Sequence, residues 1–170
     1  MIAQVPEGNL IRNHSFEIGL AFWQVPLTLT STVTQNVRIA DAGLSHSGLA
    51  MLGLGALYPK QPAVVYQEVQ VCPGRYFELD FSVAGYCQCP APLQATVTWL
   101  DGFGNEIGLG LSMFIPAATI GPIIDGGWTL HTGITDESPV GTRSARISFT
   151  RGSGSAEIFI DDVFFFQVDR

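Results

Sequence analysis

Charge is scarce in this 170-residue chain: 14% of it is Asp, Glu, Lys or Arg, and the 8 Lys and Arg never form a run. With a net charge of −7, the sequence offers no electrostatic footprint for a phosphate backbone or an anionic lipid surface, so nucleic acid and membrane partners are not expected. No apolar run approaches the roughly 20 residues of a membrane helix, and Met1-Ile2-Ala3-Gln4-Val5-Pro6-Glu7 lacks the basic start and apolar stretch of a secretory signal. A soluble protein is expected, with its compartment left open. Cysteine is also sparse. Cys87 and Cys89 are too close to bond each other well, Cys72 reaches either only if the strands align, and a lone C-x-C without a second pair or a nearby His is a poor metal motif. Helical periodicity, internal repeats and linkers are missing too, which leaves residues 1–170 as a single domain large enough to bury its own core.

What is present is apolar and turn-rich. The chain is 46% hydrophobic and 11% aromatic, with 19 Gly and 10 Pro, the composition of an all-β domain with many tight turns. Thr28 to Ile39 alternates as a half-exposed strand, and Leu49 to Leu54 is an almost continuous apolar strand of the kind covered on both faces. Ala63 to Val71 divides into Val65, Gln67, Val69 and Val71 on one face and Val64, Tyr66, Glu68 and Gln70 on the other. After the Pro73-Gly74 turn, Phe77, Leu79, Phe81 and Val83 separate from Tyr76, Glu78, Asp80 and Ser82 with a period of two. Gln94 to Leu100 puts Ala95, Val97 and Trp99 on one face, and Asp101-Gly102-Phe103-Gly104-Asn105 is a turn that should pair Trp99 and Ile107 in a hairpin. Gly126 to Thr135, Arg143 to Thr150 and Ala156 to Val168 supply three more strands. Short strands separated by regular turns indicate a sandwich or barrel, with Trp23, Trp99 and Trp128 in the core.

Two places carry carboxylates that need explaining. Asn9-Leu10-Ile11-Arg12-Asn13-His14-Ser15-Phe16-Glu17-Ile18-Gly19 reads as a first strand ending in a turn, with Glu17 lacking a local partner. Near the other terminus, Asp161 and Asp162 sit inside the apolar run Ile158 to Phe164, where unpaired charge is costly. The two ends are expected to meet, with a metal ion or a donor network joining Glu17 to Asp161 or Asp162. As strand neighbours, the two aspartates should point to opposite faces and therefore cannot flank one scissile bond. His14, His46 and His131 have no spacing that assembles a triad, and Gly152-Ser153-Gly154-Ser155 is not a nucleophile elbow, so no catalytic residues are assigned and a non-enzymatic protein is expected.

Two surfaces remain as candidates. Tyr66, Glu68, Gln70, Tyr76, Glu78, Asp80, Thr96 and Thr98 would form one polar ligand surface if their strands share a sheet, with Tyr58 and Tyr86 in loops as other aromatic platforms. The apolar, Pro-interrupted stretch from Met113 to Ile124 either folds back over the domain or forms a subunit contact through Phe114, Ile115, Ile120, Ile123 and Ile124.

The string Asn9 to Glu17 with Trp23, then His46-Ser47-Gly48-Leu49-Ala50, Pro73-Gly74, Trp99-Leu100-Asp101 with Gly104-Asn105, Trp128 and Ile160-Asp161-Asp162-Val163, resembles the galactose-binding-like sandwich of carbohydrate-binding modules. Asn105-Glu106-Ile107-Gly108-Leu109-Gly110-Leu111, Ile115-Pro116 and Pro139-Val140-Gly141-Thr142 look most like the Firmicutes domain that precedes collagen-like repeats. The resemblance implies a jelly-roll β-sandwich of two antiparallel sheets and a structural Ca²⁺. Its ligands would be Glu17, Asp161 and the main-chain carbonyls of Ser15, Ser47 and Ala50, with Asp162 as the alternative aspartate. Two functional readings follow. The first is a structural or assembly domain, oligomeric and placed at a cell or spore surface; the alternative is a glycan-binding module that holds a polysaccharide on its polar face.

Overall fold

Alternating side chains and frequent glycine turns build nine strands in the computed structural model, which describes residues 4–26, 36–40, 43–56, 60–88 and 90–170. They are β1 (Val37–Ala40), β2 (Met51–Leu54), β3 (Ala63–Gln70), β4 (Tyr76–Gly85), β5 (Leu93–Leu100), β6 (Glu106–Ile115), β7 (Thr129–Ile134), β8 (Ser144–Arg151) and β9 (Ile158–Val168). One sheet runs β1-β2-β9-β4-β7 and the other β3-β8-β5-β6, and every strand pair is antiparallel. This is the all-β, two-sheet jelly-roll sandwich that the resemblance implies.

The core lies between the sheets and follows the period-two reading. Val65 and Val69 of β3, Leu79 and Phe81 of β4, Val97 and Trp99 of β5, and Ile147 and Phe149 of β8 all point inward. Trp99 packs against Phe77 at 5.8 Å between ring centroids, and β6 passes its indole at Gly110, where a methyl group would collide with the ring. Trp23 is buried with Phe16 and Phe149, whereas Trp128 is only half-buried, packing on a small cluster of Ala40, Met51, Ala84, Ile123 and Phe159 outside the five-stranded sheet. The hairpin holding Trp99 and Ile107 forms as expected, with Trp99 opposite Gly108.

Several expectations are corrected. Residues 9–19 form turns and bends in place of a strand, because Asn13 and Phe16 take positive φ values of 51° and 59° and the Asn9 and Asn13 amides cap the local backbone. Leu49 lies in the loop before β2 and is 75% exposed. Of the five residues expected at a subunit contact, Ile115, Ile120 and Ile123 are buried in this chain's own core, while Phe114 and Ile124 are exposed. The Pro116 and Pro122 turns fold that stretch back over the sandwich as two short 3-10 turns. Cys72 and Cys87 are free, exposed thiols: they lie beyond opposite ends of the 10-residue β4, about 30 Å of extended chain. Cys89, Tyr58 and most of Thr28 to Ile39 fall outside the described residues.

Because Trp99 fills the space between Phe77 and the bare backbone of Gly110, Trp99→Ala is expected to cost about 3–5 kcal/mol and to lower the melting temperature by on the order of 10 °C. Thermal denaturation followed by circular dichroism checks this.

Candidate functional site

A β-bulge organises the first site. Opposite Asp80 and Ser82 of β4, strand β9 carries one extra residue, and Asp162 sits there at φ 50°. The bulge breaks the alternation expected of the two aspartates. Both reach Ser47: Asp161 Oδ2 accepts from the Ser47 amide at 3.0 Å, and Asp162 Oδ1 accepts from the Ser47 hydroxyl at 2.5 Å. Asp162 Oδ2 lies 2.6 Å from His46 Nδ1, and Asp161 Oδ1 accepts the Asp162 amide at 2.8 Å. On the near side of the same loop, Glu17 Oε1 accepts the amides of Leu49 and Ala50, each at 2.9 Å. Gly48, at φ +58°, lies directly beneath that carboxylate, and a side chain there would run into it.

The two ends of the chain therefore meet, as the sequence implies, through loop 46–50. The donor network is the visible link: backbone amides and the Ser47 hydroxyl meet the carboxylates, and Arg12 takes no part. Asp161 is wholly buried, has no ion-pair partner among the described residues, and is pushed up to about 7. Burial is the main cause, opposed by the Ser47 amide. Asp162 adds repulsion, while its own amide and that of His46 oppose the shift. His14, packed against Phe164 with 5.0 Å between ring centroids, is held below the usual imidazole range by burial, with Asp162 and Glu17 pulling the other way. No group of three or more His, Cys, Asp or Glu side chains among the described residues is arranged to hold a metal. The donor set implied for calcium is of another kind, two carboxylates completed by carbonyls, and its atoms are all hard oxygens that suit that ion.

His14 and His46 flanking Asp162 were not foreseen, since no sequence spacing relates them; the adjacency of His46 to Ser47 was the only hint. Asp162 is the partner of both Ser47 and His46, and the Ser47 hydroxyl donates to that carboxylate.

The second site is the outer face of the four-stranded sheet. Register places Tyr66 beside Ser148, Ser148 beside Thr96, and Thr96 beside Ser112, a row of hydroxyls across all four strands. The next row has Glu68, Arg146 and Thr98. Arg146 donates to Glu68 at 3.0 Å and to Glu106 at 3.1 Å, and its guanidinium lies 5.1 Å from the Tyr66 ring centroid. Tyr66 in turn donates to Gln24 at 2.9 Å, and Gln94 donates to Ser112 at 2.9 Å. On the other flank Gln94 faces Phe114, which is 64% exposed.

The expected polar surface is thus divided. Tyr66, Glu68, Gln70, Thr96 and Thr98 share this sheet, whereas Tyr76, Glu78 and Asp80 belong to β4 in the opposite sheet and face Val168, Phe166 and Phe164 of β9. Arg146, Ser148, Ser112 and Phe114 were missed as members of the face. Strand alternation along β8 would have turned Arg146 and Ser148 outward, but no sequence signal gives the order of strands in a sheet.

The fold is a two-sheet antiparallel β-sandwich similar to that of carbohydrate-binding modules. Among solved structures, the chain is similar to a family 61 carbohydrate-binding module, TmCBM61, bound to β-1,4-galactotriose (20% identity, TM-score 0.63, 94% of this chain and 99% of that one). It is also similar to the xylan-binding CBM22-1 domain of Paenibacillus barcinonensis Xyn10C (17% identity, TM-score 0.61, 99% of each chain). A third similarity is to the enzymatically active domain of tailspike protein 4 from bacteriophage CBA120 (22% identity, TM-score 0.74), where the match covers 94% of this chain but only 21% of that one. At these identities the likeness is one of fold. No family model matches the chain, and no curated protein matches it in sequence.

Asp161 provides a pH test. Its folded value near 7 lies above the ordinary 3.8, so the folded state holds a proton that the unfolded state has released. In chelator, stability is therefore expected to fall as pH rises from about 4 through about 7, and Asp161→Asn should flatten that slope. Urea midpoints measured across this range would show it, and a wild-type midpoint that rises with pH would contradict it.

Proposed function

We propose that this chain is a non-catalytic glycan-binding module whose ligand surface is the outer face of the four-stranded sheet. The observation that carries the reading is the fixed Tyr66–Arg146 pair beside the hydroxyl row Tyr66–Ser148–Thr96–Ser112. An extended polysaccharide needs an aromatic face to stack on and hydrogen-bonding groups repeated along its length, and this row supplies both without requiring strand or loop movement. Arg146 is held by two carboxylates, Glu68 and Glu106, so its geometry is set before any ligand arrives. The fold-level similarity to modules that bind galactotriose and xylan supports the same reading over a structural or surface-layer role. The apolar stretch from Met113 to Ile124 spends Ile115, Ile120 and Ile123 on this chain's own core, which weakens the assembly reading further.

We also propose that the closure site takes up a structural Ca²⁺ through Glu17, Asp161 and the main-chain carbonyls of Ser15, Ser47 and Ala50. What supports this is a wholly buried carboxylate with no cationic partner among the described residues, bound to the same short loop as a second carboxylate. The ion would supply the positive charge that amides supply only as dipoles.

Affinity gels containing soluble galactan or xylan are expected to retard the protein, with Tyr66→Ala and Arg146→Ala each weakening retention by about tenfold or more. Unretarded migration in all such gels would refute the reading. For the ion, calcium is expected to raise the melting temperature of wild type but not of Glu17→Gln. A melting temperature that calcium does not move in wild type would remove the ion from the account.

A further inference from the structure

Where the N-terminal segment passes the edge strand β3, a cavity of about 490 Å³ opens, within the roughly 300–1,000 Å³ of ligand pockets. Leu10, Arg12, Phe22, Gln67, Glu68 and Gln70 line it. It adjoins the proposed glycan face, because Glu68 and Gln70 belong to both. Two of its features bear on a ligand. Phe22 adopts φ 71°, a left-handed conformation that is costly for a bulky side chain, yet its ring is 50% exposed. Phe16 shows the contrast: it takes a similar φ of 59°, but its ring is wholly buried against Trp23, so packing offsets the strain. At Phe22 the φ is set by the turn that the Trp23 amide closes on the Leu20 carbonyl at 2.9 Å, and the side chain is left half exposed.

The second feature is Arg12. Its guanidinium lies 5.1 Å from the Phe22 ring centroid, and it has no carboxylate partner among the described residues, in a chain of net charge −7. The main-chain groups of Arg12 are fixed by a double hydrogen bond to the Gln67 amide, at 2.9 and 3.0 Å, which leaves the side chain to serve the cavity. The carboxylate in the cavity, Glu68, is already engaged by Arg146. Arg12 thus lines the cavity with no ion pair among the described residues, beside a half-exposed aromatic residue.

Resting on the glycan-binding reading above, we infer that this cavity is a subsite for a carboxylate-bearing sugar, a hexuronate unit of an acidic polysaccharide. The sugar ring would stack on Phe22, Arg12 would take the carboxylate through two parallel N–H···O bonds, and Gln70 would meet a hydroxyl. A planar guanidinium with a free fork is the side chain best shaped for that group.

Polygalacturonate and its fully methyl-esterified form are the matched probes, since they differ only in the carboxylate. Wild type is expected to bind the acid about tenfold more tightly than the ester, and Arg12→Gln should bring that ratio close to one. A wild-type ratio of one, or a ratio that Arg12→Gln leaves unchanged, overturns the subsite; if galactan or xylan is still retained, the broader reading stands. Retention of none of these polymers overturns both. Phe22→Gly separates function from folding: relief of the strained φ should hold or raise the melting temperature while polygalacturonate binding drops about tenfold. A lower melting temperature with unchanged binding would make Phe22 a structural residue and overturn its assigned role.

Discussion

Two adjacent carboxylates in the middle of a buried strand are the constraint on which much of this molecule turns. Leaving one charged carboxylate in a dry interior unpaired costs several kcal/mol, and a like-charged neighbour adds to that. The chain answers with a bulge that turns Asp161 and Asp162 toward the same loop, so that Ser47 serves both. The loop can approach closely because Gly48 carries no side chain under Glu17. The N-terminal segment is then fixed from two directions, by Glu17 on the amides of Leu49 and Ala50 and by Asn9 on the amide of Phe165. Its irregular path is a consequence of that closure.

The same closure prepares the opposite side of the sandwich. Asn13 folds the segment after it by donating to the carbonyls of Gly19 and Ala21 and accepting the amide of Ile18. This tight loop buries Phe16 and Trp23, and Gln24 then joins the edge of β3 by a two-way backbone bridge with Tyr66. Phe22 is the residue caught between the capped loop and the bridge. Thus a buried acid pair beneath one sheet and an exposed aromatic beside the other are parts of one path of chain, and a change at Asn13 would reach both.

How much of this the sequence disclosed depends on the kind of information involved. Period-two alternation identified the inner and outer faces of β3, β4 and β5 residue by residue, because it is a local property of extended chain. The unpartnered carboxylates at both ends gave the expectation that Glu17 meets Asp161 or Asp162, and all three accept hydrogen bonds from loop 46–50. Sheet order is not local, and so Tyr76 and Glu78 were grouped with Tyr66 although β4 lies in the other sheet. The bulge at Asp162 defeated the alternation rule at the single place where the rule was used to separate two carboxylates. Apolar content was read correctly in Ile115, Ile120 and Ile123, but hydrophobicity alone does not say whether a side chain covers its own core or a partner's.

The two arginines at the edge of the polar face show how local pairing and overall charge act at different ranges. A chain of net charge −7 repels an anionic polymer at a distance, but ions screen that field over about 8 Å at physiological strength. Within that range only the nearest groups decide. Arg146 is shared by two carboxylates, Glu68 and Glu106, so it orients Tyr66 and presents no net positive charge to a ligand. Arg12 lies beside the same Glu68 yet takes no part in that network, and its partner among the described residues is an aromatic ring. Selectivity for an acidic sugar would therefore arise at contact, through a guanidinium with no carboxylate partner among the described residues. Neutral sugar units would meet only the hydroxyl row and the face of Tyr66.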